Sequence, residues 1–97
     1  MDGTAVWVRA IRHSKIAKHD TEPCDHEDVL EALYAVCQRM DLARPLWLPK
    51  NQREWDEFSQ TRFLPSQFME SVPFDRLEIE FINPKAEKKR STDPRNG

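Results

Sequence analysis

Arg76-Leu77-Glu78-Ile79-Glu80-Phe81-Ile82 is the stretch whose reading decides the fold. Leu77, Ile79 and Phe81 fall on one side of an extended chain, and Glu78 and Glu80 on the other. Strict period-two alternation marks a strand with one face in the core and one in water. Pro73-Phe74-Asp75 leads into it and Asn83-Pro84 ends it. A second long strand is read at Ala5-Val6-Trp7-Val8-Arg9-Ala10-Ile11-Arg12, which is rich in β-branched and aromatic residues and holds neither Gly nor Pro. Val6, Val8 and Ala10 share one face, with Trp7, Arg9 and Ile11 on the other. One strand is acidic outside and the other basic. Glu78 and Glu80 are therefore expected opposite Arg9 and Arg12, each such cross-strand pair contributing roughly 0.2–1 kcal/mol. This puts the two strands side by side at the centre of a small sheet.

Working inward from these strands gives the remaining elements. Ser14–Lys18 continues the first strand past a bulge. Asp25 is a helix N-cap, followed by Glu27 and Asp28 at the positive end of the helix dipole. Val29, Leu30, Leu33, Val36, Cys37 and Met40 recur at three- and four-residue spacing, an apolar stripe on about four turns of helix. Leu46-Trp47-Leu48, between Pro45 and Pro49, suits a short edge strand. Asn51 with Glu54 matches a capping box for a second helix, which runs through Trp55 and Phe58 and stops near Ser59. Thr61–Leu64 is a short strand, and Pro65–Ser71 a helical turn or loop anchored by Phe68 and Met69. The expected class is α+β: a small mixed sheet of three to four strands, one main helix packed on one face, and a second short helix.

At 97 residues the chain has room for one core. The expected division is a globular domain over 1–84 and a disordered basic tail over 85–97, which has almost nothing apolar to bury. The net charge of −2 hides a pattern: residues 1–19 carry +3, residues 20–83 carry −8 and residues 84–97 carry +3. An acidic body disfavours laying the whole domain on a phosphate backbone. No run of about 18 apolar residues exists to span a bilayer. Met1–Trp7 lacks the basic and long apolar regions of a signal peptide. The expected location is cytoplasmic, where Cys24 and Cys37 stay reduced.

Catalytic and ligand-binding chemistry finds little footing. His19, Cys24, His26 and Cys37 are zinc-type ligands, but Cys24-x-His26 is too tight for the usual knuckle and Cys37 lies on the apolar helix stripe. Cys24, just before a helix, is the best-placed nucleophile, with His13, His19 and His26 as conceivable bases. Asp25, Glu27 and Asp28 beside it work against a thiolate. The two glycines, Gly3 and Gly97, sit at the ends, so no Gly-rich phosphate loop can be built. No cofactor, no metal and no catalytic residue is expected. Two binding readings remain. Arg9, Arg12, Lys15 and Lys18, interleaved with Trp7 and Ile11, could bind single-stranded nucleic acid by charge and stacking, aided by the tail. Trp47 and Trp55, in the proline-flanked middle, could instead form a patch for a protein partner.

Arg44–Asn51, Arg53–Phe58 and Val72–Phe81 together resemble a group of short uncharacterised proteins from anaerobic Gram-positive bacteria. The resemblance covers residues 5–84. The group carries no assigned activity, so it implies a bacterial cytoplasmic domain and brings no functional residues with it. The leading expectation is a non-catalytic protein-interaction module binding an unknown partner or itself. A nucleic-acid accessory protein is the alternative.

Overall fold

The computed structural model describes residues 3–84; the expected tail, 85–97, lies outside the described residues. Four strands form one sheet: β1 (Ala5–Arg12), β2 (Lys15–Pro23), β3 (Gln60–Phe63) and β4 (Arg76–Ile82). Their order across the sheet is β2-β1-β4-β3. The two strands read first from the sequence are the central pair. Their register sets Val8 against Ile79, Arg9 against Glu78 and Ala10 against Leu77. The α+β architecture of four strands and two helices is as expected, but the sheet is not mixed: every ladder is antiparallel, as short connections between neighbouring strands allow.

Ser14–Lys18 does not prolong the first strand. A two-residue turn at His13-Ser14, both with positive φ (53° and 65°), reverses the chain, so Arg12 pairs with Lys15 and a separate strand begins. The bulge falls within the hairpin, between Ala10 and Ile11.

The main helix, α1 (Val29–Arg39), follows a single 3-10 turn at His26–Asp28. Asp25 flanks that turn through its backbone, its carbonyl accepting from the Asp28 amide at 3.0 Å, and its carboxylate makes no capping bond. The predicted stripe is the face that packs: Val29, Leu33, Val36 and Cys37 are buried, while Leu30 stays in water. Beyond Met40 the chain leaves through Asp41 at φ 58°. The amides of Asp41 and Leu42 bond back to the carbonyls of Gln38 and Cys37, the paired closure that frees the last turn from unpaired acceptors.

The second helix, α2 (Pro49–Phe58), starts two residues before the expected Asn51 cap. Pro49 explains the shift. Its fixed φ suits the first helical position, and it drives the preceding Leu48 into extended backbone (φ −95°, ψ 163°). Asn51 therefore lies inside the first turn. Leu46-Trp47-Leu48 forms no strand; the chain there makes one isolated bridge, Pro45 to Phe68. The two flanking prolines remove the donors a longer ladder would need.

One face of the sheet carries the core. Val6, Val8, Ala10, Leu77, Ile79 and Phe63 meet the buried side of α1 and Trp55 of α2. The opposite face presents Trp7, Arg9, Gln60, Arg62, Glu78 and Glu80, following the strand alternation and register.

Candidate functional site

Two four-residue runs with one pattern lie along the chain between α1 and β4. They are Leu48-Pro49-Lys50-Asn51 and Leu64-Pro65-Ser66-Gln67. In each, proline opens a helical turn and the leucine before it is extended; Leu64 has φ −86° and ψ 162°. In each, the carboxamide two residues after the proline accepts from the leucine backbone amide: Asn51 Oδ1 from Leu48 at 2.9 Å, and Gln67 Oε1 from Leu64 at 3.1 Å.

The two amides then meet. Gln67 Nε2 donates to Asn51 Oδ1 at 3.0 Å and to the Leu46 carbonyl at 3.2 Å. The Leu46 amide returns a bond to the Gln67 carbonyl at 2.7 Å. On the other side, Asn51 Nδ2 donates to Thr61 Oγ1 at 2.8 Å and to the Arg62 carbonyl at 3.1 Å. The Thr61 hydroxyl donates to Glu54 at 2.6 Å. Asn51 is 0% and Gln67 4% exposed. Among the described residues no buried side-chain polar atom lacks a partner, which is what a dry polar cluster requires to be stable.

This hub fixes the backbone of Leu46, Leu48 and Leu64 while leaving their side chains outside. They are 44%, 37% and 42% exposed, three of the seven large apolar side chains that the described residues present to solvent. Met69, another of the seven, follows Gln67 by two residues. Trp47 lies between Leu46 and Leu48, half-buried, its ring 5.8 Å from that of Phe63 and its Nε1 donating to Gln52 at 3.0 Å. Trp55 goes elsewhere. At 1% exposure it is core, stacked on His26 at 4.9 Å with its Nε1 bonded to the His26 carbonyl at 2.9 Å. Its spacing on α2 puts it on the inner side of the helix, so it is out of reach of a partner.

The four cations read as a nucleic-acid surface do not share one. Arg9 lies on the outer sheet face over the Trp7 ring, at 4.4 Å, and bonds Glu78 at 3.0 Å and Glu80 at 3.2 Å. Arg76 holds the other oxygen of Glu78 at 2.6 Å. Arg9 thus takes both carboxylates, and Arg12, expected opposite one of them, lies past the end of that ladder. Arg12 and Lys18 line a cleft on the Ala10 side of the sheet, with Lys18 Nζ donating to the Met40 carbonyl at 3.2 Å. Lys15 stands exposed at the hairpin end.

The thiols are both free and buried. Burial pushes Cys24 up to about 11, with the charges of Asp25, Asp28 and Glu22 adding to it. Burial also takes Cys37 to about 11. Two of the three histidine side chains bond elsewhere: His19 accepts from Trp7 Nε1 at 3.3 Å, and His26 bonds Ser59 Oγ at 3.3 Å. Among the described residues no three of the His, Cys, Asp and Glu side chains converge as a metal site would need, and no helix is long and apolar enough to cross a membrane.

Set against protein-family models, curated proteins and solved structures, the chain matches none. The leucine surface was half legible. The proline-flanked middle drew notice for its tryptophans, but the anchors are the leucines beside them. The signal was the repeated Leu-Pro-x-amide pattern.

Proposed function

We propose that this chain is a non-catalytic protein-interaction domain that binds an apolar segment of a protein partner through Leu46, Leu48 and Leu64, with the edge of Trp47. One observation carries the reading: three leucines whose backbones are bonded to one buried amide pair keep their side chains exposed. Exposed apolar groups gain about 25 cal/mol per Å² when covered. A fixed backbone loses little further entropy on binding. Exposed apolar clusters of this kind mark contact surfaces. The nucleic-acid reading weighs less, because Arg9 is bonded to two carboxylates while Arg12 and Lys18 belong to a cleft on the other side of the sheet. The resemblance described above favours a bacterial cytoplasmic setting.

The test is recovery of a stoichiometric partner by the tagged chain from its host, alongside a Leu46→Asp/Leu64→Asp variant. All of these side chains are outside the core, so the variant keeps its fold. The wild type retains the partner and the variant loses it by tenfold or more, about 1.4 kcal/mol. A partner held equally by both, or no partner together with a monomeric mass, sinks the proposal. A dimer that the same variant breaks identifies the partner as a second copy.

A further inference from the structure

A separate cleft, independent of the leucine surface, lies where the β1–β2 hairpin, the turn after α1 and the loop before β4 come together. Its volume is about 310 Å³, at the lower end of the ~300–1,000 Å³ range of small-molecule sites. Ala10, Leu42, Val72 and Phe74 give it an apolar floor. The rim is charged and divided. Arg12 and Lys18 come from the hairpin wall, and Asp41 and Glu70 from the walls built by the turn after α1 and the loop before β4, where Lys18 Nζ reaches the Met40 carbonyl at 3.2 Å.

The ion pairs among the described residues lie elsewhere. Arg9, Arg39 and Arg76 each bond a carboxylate. Among the described residues, Arg12, Asp41 and Glu70 form no ion pair, and Lys18 bonds only a backbone carbonyl. Two cations and two anions thus stand around an apolar floor without neutralising one another. A guest carrying a negative group at one end, a positive group at the other and an apolar body between them would complement both walls and the floor together. A purely apolar guest would leave the charges uncompensated, and a singly charged one would meet attraction at one wall alone.

We propose that this cleft binds a small apolar zwitterion of the α-amino-acid or dipeptide class, its carboxylate toward Arg12 and Lys18 and its ammonium toward Asp41 and Glu70. No covalent step is involved.

The experiment is an amide-resolved NMR titration of the full chain with L-leucine, L-phenylalanine and leucyl-leucine. 4-Methylpentanoate and 3-methylbutylamine serve as the probes lacking one charge. Saturable shifts are expected at Ala17, Lys18, Leu42, Ala43 and Val72, with each single-charge probe at least about tenfold weaker than leucine. Arg12→Gln should shrink the advantage of leucine over the amine, and Glu70→Gln its advantage over the acid, with Lys18 and Asp41 left to hold the remainder; both substituted side chains are exposed, so the fold is retained. Three results overturn the proposal: no saturable shift with any of the three zwitterions up to about 10 mM, equal binding of the single-charge probes, or shifts centred away from these amides. A failure here leaves the leucine surface untouched, since Leu46→Asp/Leu64→Asp does not reach the cleft.

Discussion

The Asn51–Gln67 amide pair and the Arg9–Glu78–Arg76 ladder each tie together distant segments of the chain, yet one is sealed from water and the other only part-buried. The amide pair joins the approach to α2, the start of β3 and the turn after it, with both side chains sealed from solvent. The ladder joins β1 to β4 on the outer sheet face, where Arg9, Glu78 and Arg76 keep 16%, 20% and 35% of their side chains in water, so solvent can partly replace a lost partner. Charge is stronger than an amide dipole in isolation, but exposure reverses the ranking. A group that water can reach is worth little when deleted, and one that it cannot reach leaves orphans behind. Asn51→Ala is the largest expected effect. It strands the Leu48 amide and takes one partner each from Gln67 Nε2, the Thr61 hydroxyl and the Arg62 carbonyl. The expected loss is about 2–4 kcal/mol in urea unfolding at unchanged m-value. A loss below about 1 kcal/mol would mean that water enters the hub and that it is no better sealed than the ladder.

The ladder should give a smaller and pH-dependent response. Burial pushes the Glu78 carboxyl up, but bonds from Arg76 and Arg9, with their charges, outweigh it and hold the group below its ordinary value of 4.5. A carboxyl with a depressed folded value favours folding above the unfolded value, and that contribution disappears as pH falls through the folded one. Glu78→Gln should therefore cost about 1 kcal/mol near neutrality and progressively less as the medium is taken below pH 4.5. Urea midpoints for both proteins at several pH values test this. Parallel curves through the acid range would show that the ladder does not discriminate the charged form. On the far edge of the sheet, Arg39 likewise lowers Asp20. Both partners there are open to solvent, so salt should erase that contribution first.

The same difference in burial governs what could be read from the sequence. The central strands were legible because alternation is a one-dimensional signal, and one buried face makes the register costly to shift. The Arg9–Glu78 pairing followed from it. The main helix was legible by its stripe. The helix start at Pro49 was obscured by a good alternative, since Asn51 and Glu54 mimic a capping box and only the extended Leu48 shows which turn comes first. The hub depends on Asn51 meeting Gln67 from sixteen residues away, a contact no local pattern encodes. Trp55 attracted a functional reading because tryptophan serves cores and interfaces alike. Its neighbours His26 and Phe81, which settle the matter, come from distant parts of the chain.

The hairpin turn offers the finest adjustment of the comparison. At the hub, proline makes the extended leucines comfortable, so the amides there stabilise an unstrained backbone. At His13-Ser14 the reverse holds. A two-residue turn matching the sheet's twist requires positive φ at both positions, which Asn-Gly adopts readily and β-carbon-bearing residues resist by roughly 1–2 kcal/mol each. The structure holds the turn from outside. Asp75 Oδ2 accepts the His13 amide at 2.8 Å, and the Asp75 amide donates to the Ile11 carbonyl at 2.7 Å. Ser14→Gly relieves the strain but adds freedom to the unfolded chain, so its net gain should be about 0.5–1 kcal/mol. Ser14→Val, stiff at its β-carbon, should lose at least as much. Asp75→Ala should lower stability in either background, because it removes the brace and leaves the turn type unchanged. If Ser14→Gly were neutral while Asp75→Ala remained costly, the brace alone would set the turn, and wet carboxylates would rank closer to the dry hub than their exposure allows.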